Sequence, residues 1–110
     1  PAGPSDQEAV RSVMAAYAAA YGRLDAGAVQ RLQPSANSVA LGRSFSSMKS
    51  YSLQLQNVVV NVTGNTARVT CVWDATFESK DGVGGRQHQS PPATFTLQKN
   101  GNQWFIVDRR

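Results

Sequence analysis

The sequence predicts an α+β domain in which N-terminal helices pack on a strongly curved antiparallel sheet of four strands. Apolar residues recur at helical spacing over the first part of the chain, and from Tyr51 onward they alternate with polar residues, as in strands with one buried face. A chain of 110 residues, 41% of them hydrophobic, has material for one core. Residues 6–110 are therefore expected to form a single domain. Residues 1–5 are expected to be a linker or cloning remnant, because Pro, Gly and Ala without periodicity cannot form a core.

The helical part is predicted to contain three helices. Ser5-Asp6-Gln7-Glu8 fits a capping box that starts the first helix, and Gly22 is expected to end it. Asp25 is expected to cap a second short helix that closes at Pro34, because the residue before a proline avoids the helical conformation. Ser38 is expected to cap the third helix. The apolar face of that helix is expected to contain Leu41, Phe45 and Met48.

The second half of the chain carries strand and turn signals. Apolar residues alternate in opposite phase on either side of Asn57, which predicts a bulge that bends the first strand. Gly64-Asn65 and Asn100-Gly101 predict tight hairpins, and the glycine-rich residues 81–90 are expected to be a loop connection. The strand after the first hairpin is expected to direct six side chains toward the helices: Ala67, Val69, Cys71, Trp73, Ala75 and Phe77.

Composition narrows the classes of partner. One Cys and one His cannot supply the three or four ligands of a zinc site, so no metal and no cofactor are expected. The net charge is +4, but the basic residues are spread evenly, which argues against specific nucleic-acid binding. No apolar run is long enough to cross a bilayer, so no membrane insertion of this domain is expected. The cellular location is not indicated.

Three stretches resemble a known superfamily. They are residues 17–29, Tyr-Ala-Ala-Ala-Tyr-Gly-Arg-Leu-Asp-Ala-Gly-Ala-Val, residues 64–69, Gly-Asn-Thr-Ala-Arg-Val, and Asn100-Gly101 followed by Trp104 and Ile106. Their order and spacing resemble the nuclear-transport-factor-two-like (SnoaL-like) superfamily over nearly the whole chain. The resemblance implies a cone-shaped, cystatin-like roll with the first helix across the concave face, and it favours a homodimer. The chain looks most like domains attached by linkers to larger bacterial signalling or membrane-associated proteins.

The ketosteroid-isomerase branch of that superfamily uses a first-helix tyrosine, a donor acid on a strand and a carboxylate base. Tyr17 matches the tyrosine by its spacing to Asp25, whereas Ala93 stands at the expected donor position and residues 33–44 contain no Asp or Glu. A positioned acid or base typically supplies about 10²- to 10⁴-fold in rate. We therefore expect no catalytic residues, and a ligand-binding or dimerisation domain.

The sequence leaves two alternative functions open. One is a small-molecule isomerase, dehydratase or cyclase with Tyr17, or Tyr17 together with Asp74, as polar groups of an apolar pocket. The other is a structural spacer whose interior is filled, which would show no cavity of ligand size, roughly 300 Å³ or more.

The predicted site residues fall into two groups. A pocket for a small apolar ligand is expected to be lined by Tyr17, Tyr21, Phe45, Trp73, Phe95 and Trp104. Aromatic residues on the apolar face of a helix are also typical of a closed core, so the two interpretations compete. A dimer face on the other side of the sheet is expected to include Arg68, Thr70, Val72 and Asp74. Cys71 is expected to be an inert buried thiol, and His88 to be solvated, because no acid lies at a motif spacing from it.

Overall fold

A computed structural model describes residues 6–82 and 84–109. Its elements are α1 (Asp6–Gly22), α2 (Ala26–Leu32), α3 (Ser38–Ser46), β1 (Met48–Thr63), β2 (Thr66–Ser79), β3 (Arg86–Gln89), β4 (Pro92–Asn100) and β5 (Gln103–Arg109). Three helices therefore precede an antiparallel sheet, which confirms the predicted fold class. The predicted linker, residues 1–5, and the Ser5 cap lie outside the described residues.

The helix boundaries follow local hydrogen bonding. Asp25 caps α2 as predicted, because its side chain accepts a hydrogen bond of 3.1 Å from the backbone N–H of Ala28. The predicted cap of α3 is wrong by one residue: the Asn37 side chain accepts from two backbone N–H groups, and Ser38 is the first helical residue. Met48 does not extend the apolar face of α3, since the helix ends at Ser46 and Met48 begins β1.

The sheet has the order β1-β2-β4-β5, and the short β3 pairs with the second half of β2. β3 corrects the predicted loop at residues 81–90, because Arg86–Gln89 forms a ladder with β2. Gly64-Asn65 forms the first hairpin turn as predicted. The second turn lies one residue later than predicted, at Gly101-Asn102, because Asn100 still pairs with Gln103.

Two bulges within the strands shape the sheet, in addition to an irregularity between Met48 and Ser50 at the start of β1. The register of β1 against β2 shifts between Gln56 and Val59, and Asn57 has a φ of 54°, which confirms the predicted bulge. A second shift lies between Thr96 and Leu97 in the pairing of β4 with β5. It places Arg109 opposite Phe95, on the side of the sheet that faces the helices.

The core lies between α1 and the concave side of the sheet. Five of the six β2 side chains expected to face the helices are buried, and Phe77 is half-buried. The most deeply buried large side chains include Tyr17 and Met14 of α1 and Phe95 and Leu97 of β4. Within the described part of the chain, no helix combines the length and the apolar character that crossing a membrane requires.

Candidate ligand-binding site

A cleft of about 310 Å³ opens beside α3, and we call it the α3 cleft. It lies between the C-terminal half of α1, the connection from α2 to α3, α3 itself and the end of β5. Its lining residues are Tyr17, Tyr21, Gln33, Ala36, Asn37, Ala40, Leu41, Ser44 and Arg109.

The helix ends place the lining of this cleft. Tyr17 and Tyr21 are one turn apart on α1, so their side chains emerge on the same side of the helix. Gln33 caps the C-terminal end of α2 just before Pro34, and Asn37 starts α3. The short connection between these two caps forms one wall, and the one alanine of α3 keeps the opposite wall small.

Hydrogen-bonding groups converge in the α3 cleft. The hydroxyl of Tyr17 donates to Oε1 of Gln33 at 2.9 Å, and it lies 3.4 Å from the hydroxyl of Tyr21. Nη1 of Arg109 donates to the hydroxyl of Tyr21 at 3.4 Å. Two phenol groups and one guanidinium therefore lie close together here, with Tyr17 fully buried and Tyr21 nearly so.

Arg109 is held by aromatic rings as well as by this hydrogen bond. Its guanidinium carbon lies 3.8 Å from the centroid of the Trp73 ring and 5.8 Å from that of Phe95. A cation over an aromatic face at this distance is attracted by the negative potential of the ring. The second bulge makes this contact possible, because it turns Arg109 toward the concave side.

Five of the six predicted pocket residues form one aromatic cluster. Tyr17 contacts Trp73 and Phe95 edge-on, with centroids 6.0 and 5.7 Å apart, and Tyr21 contacts Phe45 and Trp73 at 5.4 and 5.0 Å. Of these five, Tyr17 and Tyr21 line the α3 cleft, whereas Phe45, Trp73 and Phe95 lie behind them and do not line it. The cluster therefore combines the two competing interpretations, since it is a packed core with one open side.

Trp104 lies elsewhere. It lines a groove of about 770 Å³ between α1, α2 and β5, and its indole nitrogen is buried without a hydrogen-bond partner among the described residues. A groove of about 780 Å³ lies between α1 and β1. Both grooves are larger than the α3 cleft. We assign the α3 cleft as the candidate site because phenol, amide and guanidinium groups converge in it, and a few convergent polar groups fix the ligand in small-molecule sites.

Burial controls the acidity of the phenols. Burial, followed by the neighbouring Tyr21, raises the pKa of Tyr17 far above the ordinary value of tyrosine, although the cationic Arg109 acts in the opposite direction. Burial also raises the pKa of Tyr51, whose hydroxyl accepts a hydrogen bond of 3.0 Å from the indole of Trp73. These phenols are neutral at physiological pH and act as hydrogen-bond donors or acceptors, not as bases.

The residues that line the α3 cleft include no carboxylate. Ala93, where the isomerase branch would have a donor acid, is buried in the core. Cys71 is buried as predicted, and burial raises the pKa of its thiol. Among residues 6–82 and 84–109, no three His, Cys, Asp or Glu side chains gather in a way that would hold a metal ion. The cleft itself offers hydrogen bonds, one positive charge and aromatic surface.

The convex side of the sheet, which we call the outer face, carries the four predicted dimer residues. Arg68, Thr70, Val72 and Asp74 alternate with the buried positions of β2. His88 is exposed as expected, and its Nε2 also contacts a carboxylate oxygen of Asp74 across the β2–β3 pair.

Three features of the α3 cleft and the outer face were not predicted from the sequence. Arg109 and Gln33 were not predicted as cleft residues, and the Asp74–His88 contact was not predicted on the outer face. The position of Gln33 was predictable, because this residue precedes Pro34 and so belongs to the connection that ends α2. The other two features depend on strand pairing.

Comparison with known proteins places the fold. No family model matches the sequence, and no curated protein matches it. A solved candidate dehydratase of the NTF2-like family from Streptomyces avermitilis superposes with a TM-score of 0.80 at 20% identity, covering 94% of this chain and 92% of that one. An NTF2-like superfamily protein from Salmonella enterica gives 0.81 at 17% identity, covering 94% and 87%.

A third solved structure, an NTF2-like protein with a cystatin-like fold from Novosphingobium aromaticivorans, gives a TM-score of 0.73 at 18% identity and covers 94% of this chain and 79% of that one. The chain therefore has the NTF2-like, cystatin-like fold, which confirms the predicted resemblance at the level of fold. This fold carries many unrelated activities, so function must be argued from the α3 cleft and the outer face.

Proposed function

We propose that this domain binds a compact small molecule in the α3 cleft without general acid–base catalysis, and that it pairs with a second copy through the outer face. One observation carries the first part: the hydroxyls of Tyr17 and Tyr21 and the guanidinium of Arg109 converge over aromatic rings in a cleft whose lining has no carboxylate.

The size of the cleft limits the ligand. Its volume of about 310 Å³ lies at the lower end of the range of roughly 300 to 1,000 Å³ for small-molecule sites. The ring of Tyr21 and the small side chain of Ala40 on α3 favour a flat, one-ring body. The phenols and the amide of Gln33 supply the polar contacts that orient it.

The alternative is a small-molecule isomerase, dehydratase or cyclase, and the name of the Streptomyces avermitilis neighbour supports a dehydratase. Such chemistry needs a group that removes a proton, and the neutral phenols of the cleft are poor bases. The discriminating assay follows isomerisation of enolisable ketones by the native protein and by Tyr17→Phe. Turnover that collapses in the variant would show that the site is catalytic.

We expect benzamide, a neutral one-ring probe, to bind the α3 cleft with a dissociation constant on the order of millimolar, which corresponds to about 4 kcal/mol. Titration followed by ¹H–¹⁵N NMR should shift the backbone signals of Tyr17, Tyr21 and Gln33. Ala40→Trp should weaken binding at least tenfold, because Ala40 lines the cleft and an indole would fill it.

Ala15→Trp is the matched control. Ala15 lies in the groove between α1 and β1, so the same change there should leave benzamide binding within about twofold. Equal binding by native protein and Ala40→Trp would place the ligand elsewhere. No binding by the native protein would contradict the first part of the proposal.

The proposed association rests on the composition of the outer face. Strand pairing sets Val59 beside Thr70, and Pro92 beside Val72. Val59 is 52% exposed and Val72 is half-buried. An apolar centre bordered by threonines and by the Asp74–His88 pair has the mixed composition of a moderately polar interface, and such a surface can meet its own copy across a two-fold axis.

Val72→Arg is expected to convert a dimer into a monomer, because it buries two guanidiniums against each other at the two-fold axis. Light scattering after size exclusion, at tens of micromolar protein, measures the mass. Val39→Arg is the control, since Val39 is exposed on α3 and lies away from the sheet. A native monomer would contradict the association, and a dimer that survives Val72→Arg would require another interface.

A further inference from the structure

We infer that the ligand of the α3 cleft is an organic carboxylate on a flat ring, with the carboxylate bound by Arg109. This inference rests on the proposed function, because it names the chemical class of ligand for the same cleft. It is carried by the position, the surroundings and the remaining hydrogen-bonding capacity of Arg109.

The residues that line the α3 cleft carry one positive charge and no negative charge. Arg109 is charged, and the other lining residues are Tyr, Gln, Asn, Ser, Ala and Leu, which are neutral at physiological pH. The ion pairs found among the described residues join Arg23 to Asp25, His88 to Asp74 and Lys99 to Asp6, so none of them neutralises Arg109. A lone guanidinium at the edge of an apolar cleft attracts a negative group.

The carboxylate nearest in sequence lies on the other side of the sheet. Asp108 pairs with Thr96 in the ladder, whereas Arg109 pairs with Phe95, and successive residues of a strand point to opposite faces. Asp108 therefore faces outward and Arg109 faces the cleft. The bulge at Val107, just before Asp108, leaves the positive charge of Arg109 on the concave side.

The guanidinium is oriented in advance of binding. Its carbon lies 3.8 Å from the Trp73 centroid, and Nη1 is held by the hydroxyl of Tyr21. A guanidinium has five N–H donors, and the described hydrogen bond uses one of them. Stacking occupies the flat face and leaves the edge of the fork for a carboxylate, which accepts two parallel hydrogen bonds in this geometry.

The rest of the cleft suits the ring of such a ligand. The alanines and Leu41 give apolar walls, and the hydroxyls of Tyr17 and Tyr21 lie 3.4 Å apart beside Arg109. A second oxygen on the ligand would meet the hydroxyl of Tyr21 while the carboxylate meets the guanidinium, because Tyr17 is fully buried and already donates to Gln33. A neutral molecule of the same shape would use the walls and the phenols but leave the charge of Arg109 unused.

Benzoate and benzamide test the inference, since they have nearly the same shape and differ in charge. Native protein is expected to bind benzoate at least tenfold more tightly than benzamide in NMR titrations at low salt. Arg109→Gln should weaken benzoate binding at least tenfold and weaken benzamide binding much less, so that the native preference for benzoate over benzamide is lost. Arg109→Lys, which keeps the charge but loses the planar fork, should give an intermediate loss.

Arg31→Gln is the charge-matched control. Arg31 is exposed on α2 and lines the groove of Trp104, so its loss should change benzoate binding less than twofold. Equal affinity of native protein for both probes would overturn the carboxylate inference while the proposed function stands. Binding of neither probe would overturn both. An equal loss of benzoate in Arg31→Gln would show that general positive charge, and not Arg109, attracts the anion.

Discussion

Phe95→Ala is expected to lower the free energy of unfolding by about 3–5 kcal/mol, the usual cost of removing a large ring from a packed core. Phe95 is 0% exposed and packs against Tyr17 and Trp73, with centroids 5.7 and 6.1 Å apart. Those two rings belong to α1 and β2, so the cavity would open where the helix meets the sheet. Neither element can close the cavity without moving against the other.

Urea denaturation of native protein and variant measures this loss, and Phe105→Ala provides the comparison. Phe105 is a half-buried residue of β5 whose ladder partner is Gln98, on the outer face. Its truncation is expected to cost about 1 kcal/mol, since little cavity forms at a partly exposed position. Similar losses for both variants would show that the aromatic cluster is not the main source of stability.

The parts of the fold that depend on local signals were predictable. Asp25 caps α2 because a short acidic side chain reaches the N–H three residues later, which needs no information from the rest of the chain. Asn57 reveals the β1 bulge because the alternation of apolar residues changes phase there, and asparagine tolerates a positive φ. Both features depend on a few neighbouring residues.

The cleft was predictable only in part, because alternation tells which side of a sheet a residue faces but not which end of the sheet it occupies. Tyr17, Tyr21 and Trp104 were all correctly expected to face inward. The structure then separates them: the two tyrosines meet at the α3 cleft, and Trp104 lines the groove beside α2. That separation depends on how α1 crosses the sheet.

The positions of Arg109 and His88 show more clearly what the sequence alone does not predict. Simple alternation from Trp104 and Ile106 would direct Asp108 inward, and the bulge between β4 and β5 reverses that phase so that Arg109 faces inward. No glycine or asparagine marks the bulge within β5. His88 meets Asp74 because β3 pairs with β2. The sequence of β3 is polar and follows glycines, which is typical of a loop. Long-range pairing decides both positions.

The titration of Tyr17 gives a large effect at high pH. Because burial raises the pKa of this phenol, the folded protein keeps its proton over a range in which the unfolded chain, with a pKa of about 10, has lost it. The unfolded state then binds fewer protons, so the free energy of unfolding falls as pH rises above 10. Below pH 10 both states keep the proton, and the contribution is constant.

Native protein is therefore expected to lose about 1.4 kcal/mol of stability per pH unit above 10 through Tyr17, or about 2 kcal/mol by pH 11.5. Tyr17→Phe should remove this loss, so its stability curve should fall less steeply, although at neutral pH the variant lacks the hydrogen bond to Gln33 and starts lower. Tyr51 is present in both proteins, so its contribution largely cancels in the comparison. Urea denaturation from pH 8 to 11.5 measures both curves. Parallel curves would contradict this expectation, because they would mean that water reaches the hydroxyl of Tyr17 in the folded protein.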